Sequence, residues 1–178
     1  MSTVTADPLR HAILELLEGR GAHAGFDAVV ADFPPELRGV RPAGLEHSGW
    51  ELLEHLRIAL WDLVEFSRDP EHRSPPWPAG YWPPAAGPPD DAAWEASVEA
   101  YRRHLGEMRA LVADPERDLT APLPWGDGQT LLREALLAAD HASYHLGQMV
   151  DLRRLLGDWP PGSTESRQAG DGQTGGGA

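Results

Sequence analysis

Apolar residues recur at three- and four-residue intervals in four separate stretches of the chain, the period of an amphipathic helix. The first runs from Pro8 to Gly19, with Leu9, Ile13, Leu16 and Leu17 on one face, Asp7 as N-cap and Gly19 as the stop. The second extends from Ser48 to Ser67 through Leu52, Leu53, Leu56, Leu60, Leu63 and Val64. A third follows Asp90 or Asp91 as cap and carries Trp94, Val98, Tyr101, Leu105, Met108 and Leu111 to Val112, ahead of Pro115. The fourth spans Thr130 to Leu156, with Thr130 as cap and Gly157 at its end.

The intervening segments have a different character. Arg20 to Gly44 lacks a clean period, although Phe26 to Phe33 can form a helical turn or two before Pro34 and Pro35 end it. Asp69 to Pro89 holds eight prolines, so neither a helix nor a central strand runs through it, and it reads as a crossover loop. Its Trp77, Tyr81 and Trp82 are large rings that favour a loop lying against the bundle. A second loop, Ala113 to Gln129, contains Pro115, Pro122, Pro124 and a Gly126-Asp127-Gly128 turn. No alternating strand pattern and no internal repeat is visible. The expectation is an all-α fold: a four-helix bundle with crossover loops, one domain over residues 1–159, and a disordered Gly/Ser-rich tail over 160–178.

Composition narrows the function. The 178 residues are 41% hydrophobic and 24% charged, as in ordinary soluble domains, but the formal charge of −13 repels polyanions and disfavours nucleic acid as a partner. The apolar runs are too short to span a membrane and the N-terminus lacks a signal-peptide layout, so the expectation is a cytoplasmic protein without a membrane partner. Cysteine is absent, which leaves histidine and carboxylate as the strong metal ligands among eight histidines.

His141 and His145 lie four residues apart in the fourth helix, about 40° apart on its wheel and one turn apart in height. Such a pair can chelate one ion, although eight histidines in a chain this long produce one by chance in roughly one sequence of three. Here the pair is flanked by Leu136, Leu137, Leu146, Met149 and Val150, and a buried imidazole needs partners for both nitrogens. A third ligand is expected from a facing helix. His55 sits inside an apolar stretch of the second helix and is the better candidate; His47, at the start of that helix, is the competitor and is explained equally by capping or exposure. His11, His23, His72 and His104 read as surface residues.

The segment Asp140–Gln148, DHASYHLGQ, resembles the last-helix signature of the DinB-like superfamily: His, three residues, His, one residue, Gly-Gln. Trp50–Asp62, WELLEHLRIALWD, is similar to that superfamily's second-helix pattern, and the pieces GFDAVVADFPPELRGVRPAG and WPAGYWP resemble a DinB-like subgroup. The resemblance runs from about His11 to Leu156 and implies a metal triad of His55, His141 and His145.

Three neutral imidazoles leave coordination positions open, the arrangement of a catalytic rather than a structural zinc site. A divalent ion there, zinc or nickel, lowers the pKa of a bound water or thiol, which points to a hydrolase or a thiol S-transferase acting on a small molecule. Any thiol must be a low-molecular-weight cosubstrate, and the resemblance to a superfamily that includes thiol S-transferases keeps this option open. Asp62, seven residues after His55, and Glu51, four before it, could hydrogen-bond a ligand imidazole or act as base; both read equally well as solvent-facing charges. Gln148 shares a face with His141 and could orient a ligand, and Trp61, Trp77, Tyr81 and Trp82 could line a pocket above the ion. Residue 142 is alanine, so the H-E-x-x-H protease motif is absent. The rival reading is a non-catalytic metal-binding bundle with a structural or stress-response role, and a homodimer through an exposed helix face is expected in either case.

Overall fold

A computed structural model describes residues 7–19 and 21–161. Its helices are α1 (Pro8–Leu17), α2 (Phe26–Val30), α3 (Gly49–Arg68), α4 (Asp91–Ala113) and α5 (Leu131–Leu155), and no strand occurs among the described residues. The four long periodic stretches thus become α1, α3, α4 and α5, and the turn or two expected after Phe26 is α2. The tail expected from residue 160 lies, from residue 162 onward, outside the described residues.

Each long helix begins where a side chain can satisfy an orphan amide. Asp7 accepts from the amides of Leu9 and Arg10, Asp90 from Ala93 and Thr130 from Arg133. Ser48 and Glu51 close a full capping box at the start of α3. At the far end of α5, Gly157 takes φ +78°, a left-handed conformation that glycine adopts without a Cβ penalty.

Side-chain contacts fix the helix directions. Arg38, whose carbonyl accepts from the Trp50 amide at the start of α3, bonds Asp91 at the start of α4, and Arg68 at the end of α3 pairs with Glu107 late in α4. Helices α3 and α4 are therefore parallel, and residues 69–90 must travel the length of the bundle between them. By contrast α5 starts beside the end of α3, where Trp125 Nε1 donates to the Phe66 carbonyl, and runs antiparallel to it. Arg10 on α1 reaches the carbonyls of Val112 and Arg117, so α1 opposes α4. Of the two long loops, the first crosses over and the second, residues 114–130, joins neighbouring helix ends.

Helices α4 and α5 each pack on both α1 and α3, which places α1 and α3 diagonally across the core. Leu53, Leu56, Val64, Met108 and Met149 are buried at its centre. Short α2 is pinned by the buried Arg153 of α5, which donates to the carbonyls of Val29 and Ala31 at 2.8 Å and pairs with Asp158. Among the described residues no helix is long and apolar enough to cross a membrane.

Candidate metal centre

Helix α3 turns His55 into the bundle at 3% exposure, and the antiparallel α5 delivers His141 and His145 from the facing side. The four-residue spacing brings the latter two rings edge-to-face, 4.5 Å between centroids and 64° between planes. His55 lies 4.8 Å from the His141 ring and 4.6 Å from the His145 ring. One ring nitrogen from each residue falls within 4.8 Å of the others.

The hydrogen bonds decide which nitrogens are free. The Tyr81 carbonyl can only accept, so the His55 Nδ1 at 2.9 Å must carry the proton, leaving Nε2 bare. Gln148 Oε1 accepts from His145 Nδ1 at 2.7 Å in the same way and frees the second Nε2. His55 Nε2 and His141 Nε2 face each other at 3.0 Å. Ligand nitrogens about 2.0–2.1 Å from a tetrahedral ion stand roughly 3.4 Å apart, so this pair needs only a small relaxation to share one. The donor set fits a divalent metal.

Electrostatics favour the same state. Burial, with repulsion from neighbouring imidazoles added, pushes His55 and His141 down to about 4, and burial also lowers His145. All three are therefore neutral at pH 7, as ligands must be.

The crossover loop completes the surround. Trp82 lies flat on His55, with centroids 3.9 Å apart and planes at 1°, and His47 stacks on Trp82 at 3.9 Å. Of the two candidates for the third position, the fold brings His55 together with His141 and His145, whereas His47 packs on the Trp82 indole. Asp62 is buried and gives both oxygens to the loop, Oδ1 to His72 Nε2 at 2.7 Å and Oδ2 to the Tyr81 hydroxyl at 2.6 Å. Its hydrogen bonds go to the loop rather than to a ligand imidazole. Burial and the Asp62 carboxylate raise the Tyr81 phenol to about 12, so it stays a donor.

Glu51 bonds the Ser48 amide and Arg41, not a ligand imidazole, because the capping box and a guanidinium claim its oxygens. Being buried, Glu51 and Asp62 are not the solvent-facing charges that either could have been. Two histidines read as surface residues are enclosed: His104 is buried beside Glu107, and the His72 side chain is 8% exposed beside Asp62. His11 and His23 are exposed as expected. Of the four aromatics, Trp82 lines the cavity next to the triad, while Tyr81 contributes its carbonyl. Trp61 packs edge-on to His72, and Trp77, 76% exposed, leans on Tyr81. Sequence reasoning missed the Tyr81 carbonyl, since a main-chain ligand partner leaves no residue signature.

A cavity of about 470 Å³ opens beside His145, lined by Leu45, His47, Leu52, Trp82, Tyr144 and Gln148 among others, and Glu46 is the one carboxylate in its wall among the described residues. Fold and site together define an all-helical bundle protein with a three-histidine candidate metal centre next to a small-molecule-sized cavity. Residues 20–149 match the model of the DinB superfamily, and the chain belongs to that superfamily. No curated protein and no solved structure matches the chain.

Proposed function

We propose that the protein is a divalent-metal-dependent enzyme acting on a small molecule, either a hydrolase or a thiol S-transferase. The observation that carries the reading is the convergence of His55, His141 and His145 beside the cavity, with two of their Nε2 atoms freed by hydrogen bonds at Nδ1. A divalent ion held by the three, zinc or nickel, would supply Lewis acidity that favours the ionised form of a water or thiol. Because the chain has no cysteine, a thiol would come from a low-molecular-weight cosubstrate.

The chain's own residues shape what can bind. Leu45, Leu52 and Trp82 offer apolar surface, Tyr144 an exposed ring, and His47 a ring able to take or give a proton at the cavity wall. Among the described residues no arginine or lysine lines the cavity, so no side-chain cation there would pair with an anionic group of a substrate.

Metal analysis of protein purified without a histidine tag, followed by turnover screens against ester, amide and thiol-transfer substrates, tests the proposal. Stoichiometric metal with turnover that disappears in His55→Ala and His145→Ala supports it. Metal bound without turnover in any screen returns the protein to the non-catalytic reading, in which the ion ties α3 to α5.

A further inference from the structure

Three buried polar side chains of α3 and its cap, Ser48, His55 and Asp62, are spaced seven residues apart and so form one stripe along the helix. Every one of them bonds the crossover loop. Ser48 Oγ donates to the Ala86 carbonyl, His55 Nδ1 to the Tyr81 carbonyl, and Asp62 accepts from Tyr81 and His72. The loop therefore runs back along α3 as a strap, fastened at three points. It needs such fastening, because eight prolines deprive it of amide donors. Its main-chain bonds among the described residues are local turns such as Gly80 N to Pro76 O and Tyr81 N to Pro78 O.

We infer that Asp62 is a positioning residue for the metal site: by holding the Tyr81 hydroxyl and the His72 ring, it fixes the Tyr81 carbonyl that orients His55. The inference rests on the proposed metal-binding role of the three histidines. Tyr81 is bonded at both ends, its hydroxyl at 2.6 Å to Asp62 and its carbonyl at 2.9 Å from His55 Nδ1, so the two α3 residues are coupled through one loop residue. The next residue, Trp82, covers the His55 ring face, so a shift of the Tyr81 main chain displaces both the hydrogen bond that sets the tautomer and the surface that sets the ring plane. A direct partner of a ligand imidazole, as the Tyr81 carbonyl is of His55, typically changes metal affinity about 10–100-fold when lost, and Asp62 acts by holding that partner in place.

The test uses the full chain and two variants, Asp62→Asn and Tyr81→Phe, the second of which removes a single oxygen and keeps the carbonyl. Proton–nitrogen NMR of the metal-free protein reads the His55 Nδ1–H directly, and zinc titration reads affinity with every variant fully folded. In the wild type the His55 Nδ1–H signal should be sharp and slow to exchange; both variants should lose or broaden it and bind zinc about 10–100-fold more weakly. Met108→Ala, a core substitution on α4, should lower stability and leave both readouts unchanged.

An unaltered His55 signal in the variants, or zinc affinity within about 2-fold of wild type, overturns the inference. If Asp62→Asn does not fold, Tyr81→Phe decides alone. If wild-type protein binds no zinc, the metal reading fails, while the NMR comparison still decides whether Asp62 positions His55.

Discussion

Trp82 lies parallel to His55, ring planes 1° apart and centroids 3.9 Å apart, so a loop residue forms one wall of a helix-borne imidazole. The contact excludes water from that face and limits the rotation of the ring. Replacing Trp82 with alanine should open the face and weaken zinc binding by about 3–10-fold, with a stability loss of about 2 kcal/mol for a half-buried indole. Trp82→Phe keeps a flat surface and should restore most of the affinity. Isothermal titration with zinc on the two variants checks this; equal affinities for alanine and tryptophan would mean that the stack plays no part in ligand positioning.

Metal should also stabilise the bundle. The triad joins α3 to α5 across the core, and an ion that binds the folded chain alone adds about 2.7 kcal/mol at a free concentration 100 times its dissociation constant. Thermal melts with and without chelator should differ by several degrees in the wild type. His141→Ala, which removes one of the three ligands, should abolish that difference while still folding. A chelator effect that persists in His141→Ala would place the ion elsewhere.

The four long helices could be read from their apolar period, and their starts from Asp7, Ser48, the Asp90-Asp91 pair, of which Asp90 is the cap, and Thr130. Their directions could not. An amphipathic stripe says which face is buried, whereas the parallel course of α3 and α4 depends on contacts such as Arg38 to Asp91, distant in sequence. For the site, His141 and His145 announce themselves by spacing and His55 by its apolar setting. His104 and His72 did not, because burial of a histidine follows from its partner: Glu107, three residues after His104, is a local cue, but Asp62 reaches His72 only through the fold of a proline-rich loop. The seven-residue interval from His55 to Asp62 was visible as a shared face, and the loop that occupies that face was not.

Gly49 illustrates a position where helix propensity and packing disagree. A Cβ there would stand 2.6 Å from Phe33 Cζ and 2.9 Å from Cε2. The Phe33 ring cannot retreat easily: it is 2% exposed, edge-packed on Trp94 and covered by the Arg153 guanidinium at 4.8 Å. Alanine is the better helix former by about 1 kcal/mol, but overpacking of this severity costs about 1–3 kcal/mol. Gly49→Ala should therefore be net destabilising in urea unfolding, and a gain in stability would show that the ring yields.

Acid should destabilise the metal-free protein in a window set by the triad. An unfolded imidazole titrates near 6.5, whereas His55 and His141 in the folded chain are pushed down to about 4 by burial and by their imidazole neighbours. Between those values the unfolded chain binds protons that the folded chain refuses, so stability is fully present above about pH 6.5 and is lost as pH falls towards 4. Each such group contributes a slope of about 1.4 kcal/mol per pH unit, giving a loss of roughly 2–4 kcal/mol between pH 7 and pH 5 for the pair. The carboxylates lowered by their arginine or serine partners, Glu51, Glu54 and Glu65, act at lower pH and leave this window to the histidines. Urea unfolding of chelator-treated protein at pH 7 and pH 5 measures the loss, and His141→Gln should cut it by about a third to a half, since burial lowers His145 as well. Equal losses in wild type and His141→Gln would mean that His141 titrates normally in the folded chain and is not the neutral imidazole that its partial burial implies.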